Sequence, residues 1–126
     1  MRILDRPSAT SMRTVADAMS DDLDGPVADP AHHRVVFENE HIRVLETIIE
    51  VGDKTPLHTH LANHVLVASS GSHFIRRDAT GAVAFDTRGT EPPSVIKPLD
   101  WSDGTPAHTL ENTGEDVIHV TAIELK

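Results

Sequence analysis

From residue 34 onward the chain runs in short stretches rich in Val, Ile, Leu and Thr, and a turn signal cuts off each one before a long element can form. Asn39-Glu40, Gly52-Asp53, Ser69-Ser70-Gly71, Thr80-Gly81, the Gly89 to Pro93 stretch, Asp103-Gly104 and Asn112-Thr113-Gly114 are the interruptions. β-Branched residues fit a pleated, half-buried surface, and Gly, Asn, Asp and Ser clusters mark where such strands turn. Strands are predicted over 34–38, 41–51, 57–60, 64–68, 72–78, 82–87, 94–97, 108–111 and 117–125, with Trp101 ahead of the Asp103-Gly104 turn. Short strands with turns this closely spaced predict an all-β sandwich or barrel.

At 126 residues the chain makes one domain with a single modest core. Only 3% of residues are aromatic, so that core is built mainly from aliphatic side chains. Cysteine is absent, which excludes disulfides, thiolate-bound zinc and thiol catalysis. Eleven Lys and Arg stand against 20 Asp and Glu, a net charge of −9. That balance disfavours nucleic acid and anionic membrane surfaces as partners. No apolar run is long enough to span a bilayer, and the charged, proline-containing start lacks a secretory hydrophobic stretch. A cytoplasmic location is the expectation.

Residues 1–31 differ in texture, carrying six Asp and three Pro. A short helix is predicted over 11–19, with Ser11 as its N-cap, followed by an acidic loop. Composition favours a loose tail over an arm packed on the domain, so the division is an N-terminal arm at 1–31 and a β-domain at 32–126.

Chemistry concentrates in Gly52-Asp-Lys-Thr-Pro-Leu-His58-Thr-His60-Leu-Ala-Asn-His64 and the Gly71 that follows. His58 and His60 are two apart on a strand and point to one face; His64 can return to that face after a turn. Three imidazoles on one face suit a transition metal, whereas three solvated strand residues are the plainer alternative. The fixed glycines on both sides favour the metal. His32 and His33 read as solvated residues at the domain edge and His41 as a strand-start residue; His73 and His119 could face either way. Arg43, Glu46, Arg76 and His119 lie on predicted strands, where register decides which point inward. Trp101 reads as a core or rim aromatic at least as readily as a substrate-stacking residue. Paired-carboxylate spacing, a glycine-rich phosphate loop and a nucleophile elbow are all missing.

The run resembles the first motif of the cupins: Gly, five residues, His-x-His, three or four residues, an acid, six residues, Gly. Gly52, His58, His60 and Gly71 hold those positions, with His64 where the family usually has Glu. His108-Thr-Leu-Glu-Asn112 and Gly114 resemble the second half of the second cupin motif. Its first half departs, with Asp103 and Thr105 at the usual Pro and Gly positions. The resemblance implies a double-stranded β-helix, a jelly-roll barrel, with His108 delivered into the same mouth as His58 and His60. It also implies one divalent transition metal: Fe, Zn, Ni, Mn or Cu. His64 has two readings, a fourth ligand or a pocket group that bonds or transfers protons. As a ligand it makes the site all-nitrogen and more positive than the usual three His and one Glu.

Such a centre implies a metal-dependent enzyme on a small oxygen-containing organic substrate, of dioxygenase or isomerase/lyase type. The competing class is a non-catalytic metal-containing binding or sensing module. A homodimer is expected, since open jelly-roll edges are often paired across subunits, with 34–51 as the contact.

Overall fold

The computed structural model describes residues 21–89 and 96–126. Among the described residues, nine strands form two antiparallel sheets: β1 His33–Glu38, β2 Ile42–Ile49, β3 His58–His60, β4 His64–Ser70, β5 Phe74–Asp78, β6 Val83–Asp86, β7 Leu99–Ser102, β8 Thr105–Asn112 and β9 Ile118–Leu125. One sheet runs β1-β2-β9-β4-β7 and the other β3-β8-β5-β6. The chain thus crosses repeatedly between sheets, which is the double-stranded β-helix expected.

Alternation along the strands decides what fills the barrel. On β2, Leu45, Thr47 and Ile49 point inward and are buried, while Ile48 is exposed. On β9, Ile118, Val120 and Ala122 take the matching inward positions. Ile49, Phe74 and Ile118 form the core cluster, with Ile96, Leu110 and Val120 packed against it. Side chains of this size stabilise the fold by about 1.5–3 kcal/mol each when fully buried. Asn112 closes the base of the barrel from within. Its amide nitrogen donates to the carbonyls of Ile49 (3.0 Å) and Asp116 (2.8 Å), and its side-chain oxygen accepts from Gly114 N–H at 3.1 Å.

Three local differences from the sequence reading have clear causes. β4 continues through Ser69 and Ser70, because β9 offers partners that far, Ser70 lying opposite His119. Residues 99–102 form a strand where only a turn approach is expected, since β7 pairs with β4 from His64 to Val67. β8 begins at Thr105, three residues early. Gly104 turns the chain between them at φ +107°; a Cβ there would lie 2.5 Å from the Leu61 carbonyl oxygen, so only glycine fits. Of the 94–97 segment, residues 94 and 95 lie outside the described residues, as does the helix expected over 11–19.

Residues 21–28 pack on the barrel. A 3₁₀ turn at Asp21–Leu23 leads to the single-turn helix α1, Gly25–Ala28, with Pro26 in its first turn. Asp24 forms a parallel bridge with Thr59. The Arg43 guanidinium clamps the arm: Nη1 and Nη2 donate to Asp24 at 2.7 and 2.8 Å, and Nε donates to Glu124 at 2.6 Å. Composition does not register such a clamp, because Arg43 and Asp24 meet only once the sheet has formed.

Candidate metal centre

β3 and β8 run side by side with His58 directly opposite His108. Their rings are 4.3 Å apart between centres, and His60 stands 4.8 Å from His58 and 5.5 Å from His108. His64, the first residue of β4 on the other sheet, lies 6.3 Å from His60. His33 completes the group. It opens β1 opposite Thr47, an inward residue of β2, and its ring lies 4.5 Å from His58 and 5.0 Å from His60. Ligand atoms of His33, His58 and His60 all fall within 4.8 Å of one another, a cluster able to hold a metal ion.

The hydrogen bonds behind the rings set their tautomers. Nδ1 of His58, His64 and His108 each lies 2.8–2.9 Å from the carbonyl oxygen two residues earlier: Pro56, Ala62 and Pro106. A carbonyl can only accept, so each Nδ1 carries the proton and each Nε2 keeps its lone pair. His33 is held likewise, its Nδ1 donating to the Asp29 carbonyl at 3.2 Å with the buried Asp29 carboxylate 3.1 Å away. His60 is the exception: its Nδ1 is buried with no hydrogen-bond partner. Leaving a buried polar atom unpaired costs about 1–3 kcal/mol, which coordination would recover.

Burial also keeps these rings neutral. It lowers the proton affinity of His58, and lowers His33 to about 4 and His108 to about 3, the charge of His58 adding to the effect in both. His60 falls well below the ordinary value for the same reason, with the neighbouring imidazoles contributing. Neutral imidazole is the ligating form. Two imidazoles on one metal, with nitrogens at about 2.0–2.1 Å, have ring centres roughly 4.5 Å apart at right angles and roughly 6.5 Å apart when opposed. The observed separations, 4.3 to 6.3 Å, are of that order, and the ligand atoms of His33, His58 and His60 are the ones that lie close enough together to share an ion.

The arm roofs the cluster. A Cβ on Gly25 would lie 2.9 Å from His60 Cε1 and 3.3 Å from His33 Cδ2, so glycine is what lets α1 approach the rings. Beneath them lies a cavity of about 410 Å³ whose lining runs from the histidines to Ile49, Phe74 and Ile118. Its size is at the lower end for small-molecule sites.

Among solved structures, this chain is similar to a cupin domain from Bordetella pertussis, at 21% identity over 75% of this chain and 91% of that one, with a TM-score of 0.55. The domain has the cupin fold. An RmlC-like cupin from Methanocaldococcus jannaschii is also similar, at 10% identity over 74% of this chain and 77% of that one, TM-score 0.49. No protein-family model and no curated protein matches the sequence. At 21% identity the likeness to the Bordetella domain speaks for the cupin barrel and not for any activity.

Of the residues singled out in the sequence, the barrel brings His58, His60 and His108 into ring contact, with His64 beside His60 alone. His33, read as solvated, is instead 3% exposed. Proline and a polar pair just before a strand suggest a linker, and the pairing with Thr47 that turns His33 inward is a tertiary fact. His32 is not free in solvent either, its ring lying between Asp29 at 2.7 Å and Asp53 at 2.6 Å. Glu46 and His119 pair with each other at 2.9 Å away from the cavity, Arg43 holds the arm, and Arg76 alone of those four lines the cavity. Trp101 is half exposed and does not line the cavity, and its indole N–H donates to Asp103 at 2.8 Å.

Proposed function

We propose that this cupin barrel holds one divalent transition metal and is a metal-dependent enzyme acting on a small oxygen-containing organic molecule. His58, His60 and His108 form the core of the donor set, with His64 and His33 flanking His60. The observation that carries this reading is that the His60 ring, whose buried Nδ1 has no hydrogen-bond partner, is surrounded by four other imidazoles. When bound, the metal would supply Lewis acidity toward a carbonyl or water and, if it is iron, one-electron chemistry with dioxygen.

The chain's own residues support catalysis over mere storage. The carbonyls of Pro56, Ala62 and Pro106 fix ring orientation in advance, as donors in a working centre must be fixed. Asp29 does the same for His33 and adds electron density through it. The aliphatic floor of the cavity excludes water from one side while α1 covers the other. A dioxygenase and an isomerase or lyase share these requirements, and the metal distinguishes them. A binding or sensing module would instead show a coordinatively saturated ion.

Elemental analysis of untagged protein, with the His58→Ala/His60→Ala double variant beside it, tests the reading. About one metal per chain is expected in the wild type and none in the variant, which keeps its β-sheet circular dichroism because the aliphatic core is untouched. Full metal content in the double variant would sink the proposal.

A further inference from the structure

Five arginines fall among the described residues, and four have carboxylate partners. Arg34 pairs with Glu46, Arg43 with Asp24 and Glu124, Arg77 with Glu111, and Arg88 with Asp86. In a chain with nearly twice as many acids as bases, finding a partner is the ordinary outcome. Arg76 has none among the described residues, and it is the one arginine that lines the cavity. Burial alone disfavours its charge, with no neighbouring acid to offset the cost. A guanidinium does not lose its proton in a protein, so the charge is left standing against an apolar wall.

Its position follows from register. Arg76 sits between Leu110 of β8 and Phe85 of β6, and all three line the cavity. His108 is two residues along β8 from Leu110, which is one inward-facing step, or about 7 Å along the strand. Arg76 therefore stands one strand over from His108 and one inward-facing step along from it. The other charged lining groups are Lys97 and Asp100, both in exposed positions; Asp100 accepts from the Trp101 N–H at 2.9 Å.

We infer that Arg76 is the anion-anchoring residue of the cavity, and that the molecule it receives is a small monocarboxylate whose other end faces the histidines. The half-buried guanidinium balances one negative charge, while Lys97, the other cation of the lining, is exposed. The flat fork of the guanidinium matches a carboxylate in two parallel bonds. The aliphatic lining suits a short hydrocarbon or aromatic body and penalises a dianion such as phosphate. This deepens the proposed function by naming its substrate class; it needs the cavity to be a ligand site, and it does not need the metal.

Calorimetric titration of the purified protein with butyrate, hexanoate and benzoate, each against its primary amide, tests the inference, with inorganic phosphate as a further arm. At least one carboxylate should bind about tenfold or more tightly than its amide, the usual worth of a charge-assisted contact. Arg76→Met should reduce that preference to within about twofold, and Arg76→Lys should retain part of it. Arg76→Met should also melt at the wild-type temperature or above, because a half-buried charge with no acidic partner is removed; a purely structural arginine would lower it. Equal binding of acid and amide, no binding by any carboxylate, a preference that survives in Arg76→Met, or phosphate binding in place of the carboxylates would each overturn the assignment. Repeating the titration after chelator dialysis separates the two readings. A preference abolished by the chelator but indifferent to Arg76 places the carboxylate on the metal and overturns this inference. Protein that never held metal yet shows the Arg76-dependent preference sinks the metal reading and leaves this one standing.

Discussion

The ring of His33, the first residue of β1, lies 4.5 Å from that of His58 on the facing sheet. Two strands 25 residues apart in sequence thus aim imidazoles at one point, and the Asp29 carboxylate stands behind the first of them. This pairing makes the cluster larger than a His-x-His motif and puts His33 with His58 and His60 in the group whose ligand atoms lie within 4.8 Å of one another.

Removing the flanks one at a time should separate their roles. His33→Ala and His64→Ala should each weaken metal retention while His108→Ala abolishes it, as read by metal content after dialysis against a graded chelator series. His64→Glu should restore retention with a site one charge less positive, and any bound water should then be less acidic. Metal content and turnover both unchanged in His64→Ala would remove His64 from the site.

Arg43 should matter to stability more than to metal content. Its side chain joins Asp24 of the arm to Glu124, a residue only 3% exposed. Arg43→Ala strands that carboxylate, and breaking a buried pair in this way costs about 3–5 kcal/mol. Adding Glu124→Gln should recover a large part of the loss. Urea denaturation of the single and double variants checks this, and strict additivity of the two changes would contradict it.

Acid should destabilise the metal-free protein before its carboxylates titrate. His33 and His108 fall to about 4 and about 3 in the folded state, and His58 and His60 are also lowered by burial, against an ordinary 6.5. The unfolded chain therefore takes up protons first, so stability is full above about pH 7 and declines as pH falls from there toward the folded values. His32 opposes the trend. Burial would lower it, but its bonds to Asp53 and Asp29 prevail and raise it, so its contribution is present at low pH and is lost as pH rises. Four groups against one set the sign. The urea midpoint of chelator-treated protein should drop between about pH 7.5 and 5.5; a flat midpoint would argue that the rings are not buried together.

A dimer is expected through β1. That strand is a sheet edge, and Val35, Val36 and Phe37 on it are 39%, 46% and 53% exposed. An apolar edge of this kind invites pairing with a second copy. Light scattering at micromolar concentration should return twice the chain mass, and Phe37→Lys should return one.

The β-class, most strand positions and the His58, His60, His108 trio were legible in the sequence because period-2 alternation and motif spacing are local properties. Asn112 was legible as a motif residue, although its work in tying Ile49 to the β8–β9 turn was not. The β7 strand, the inward turn of His33, the clamp of Arg43 on the arm and the isolation of Arg76 belong to the tertiary structure alone. Each depends on which residue lies opposite which. His33 faces Thr47 and Arg76 faces Leu110 only once register is set, and a slip of one residue would turn either outward. The sequence by itself determined that the chain is a barrel carrying histidines on one face. Long-range pairing, which no local pattern encodes, decided how many of them meet and that a guanidinium without an acidic partner among the described residues lines the same cavity.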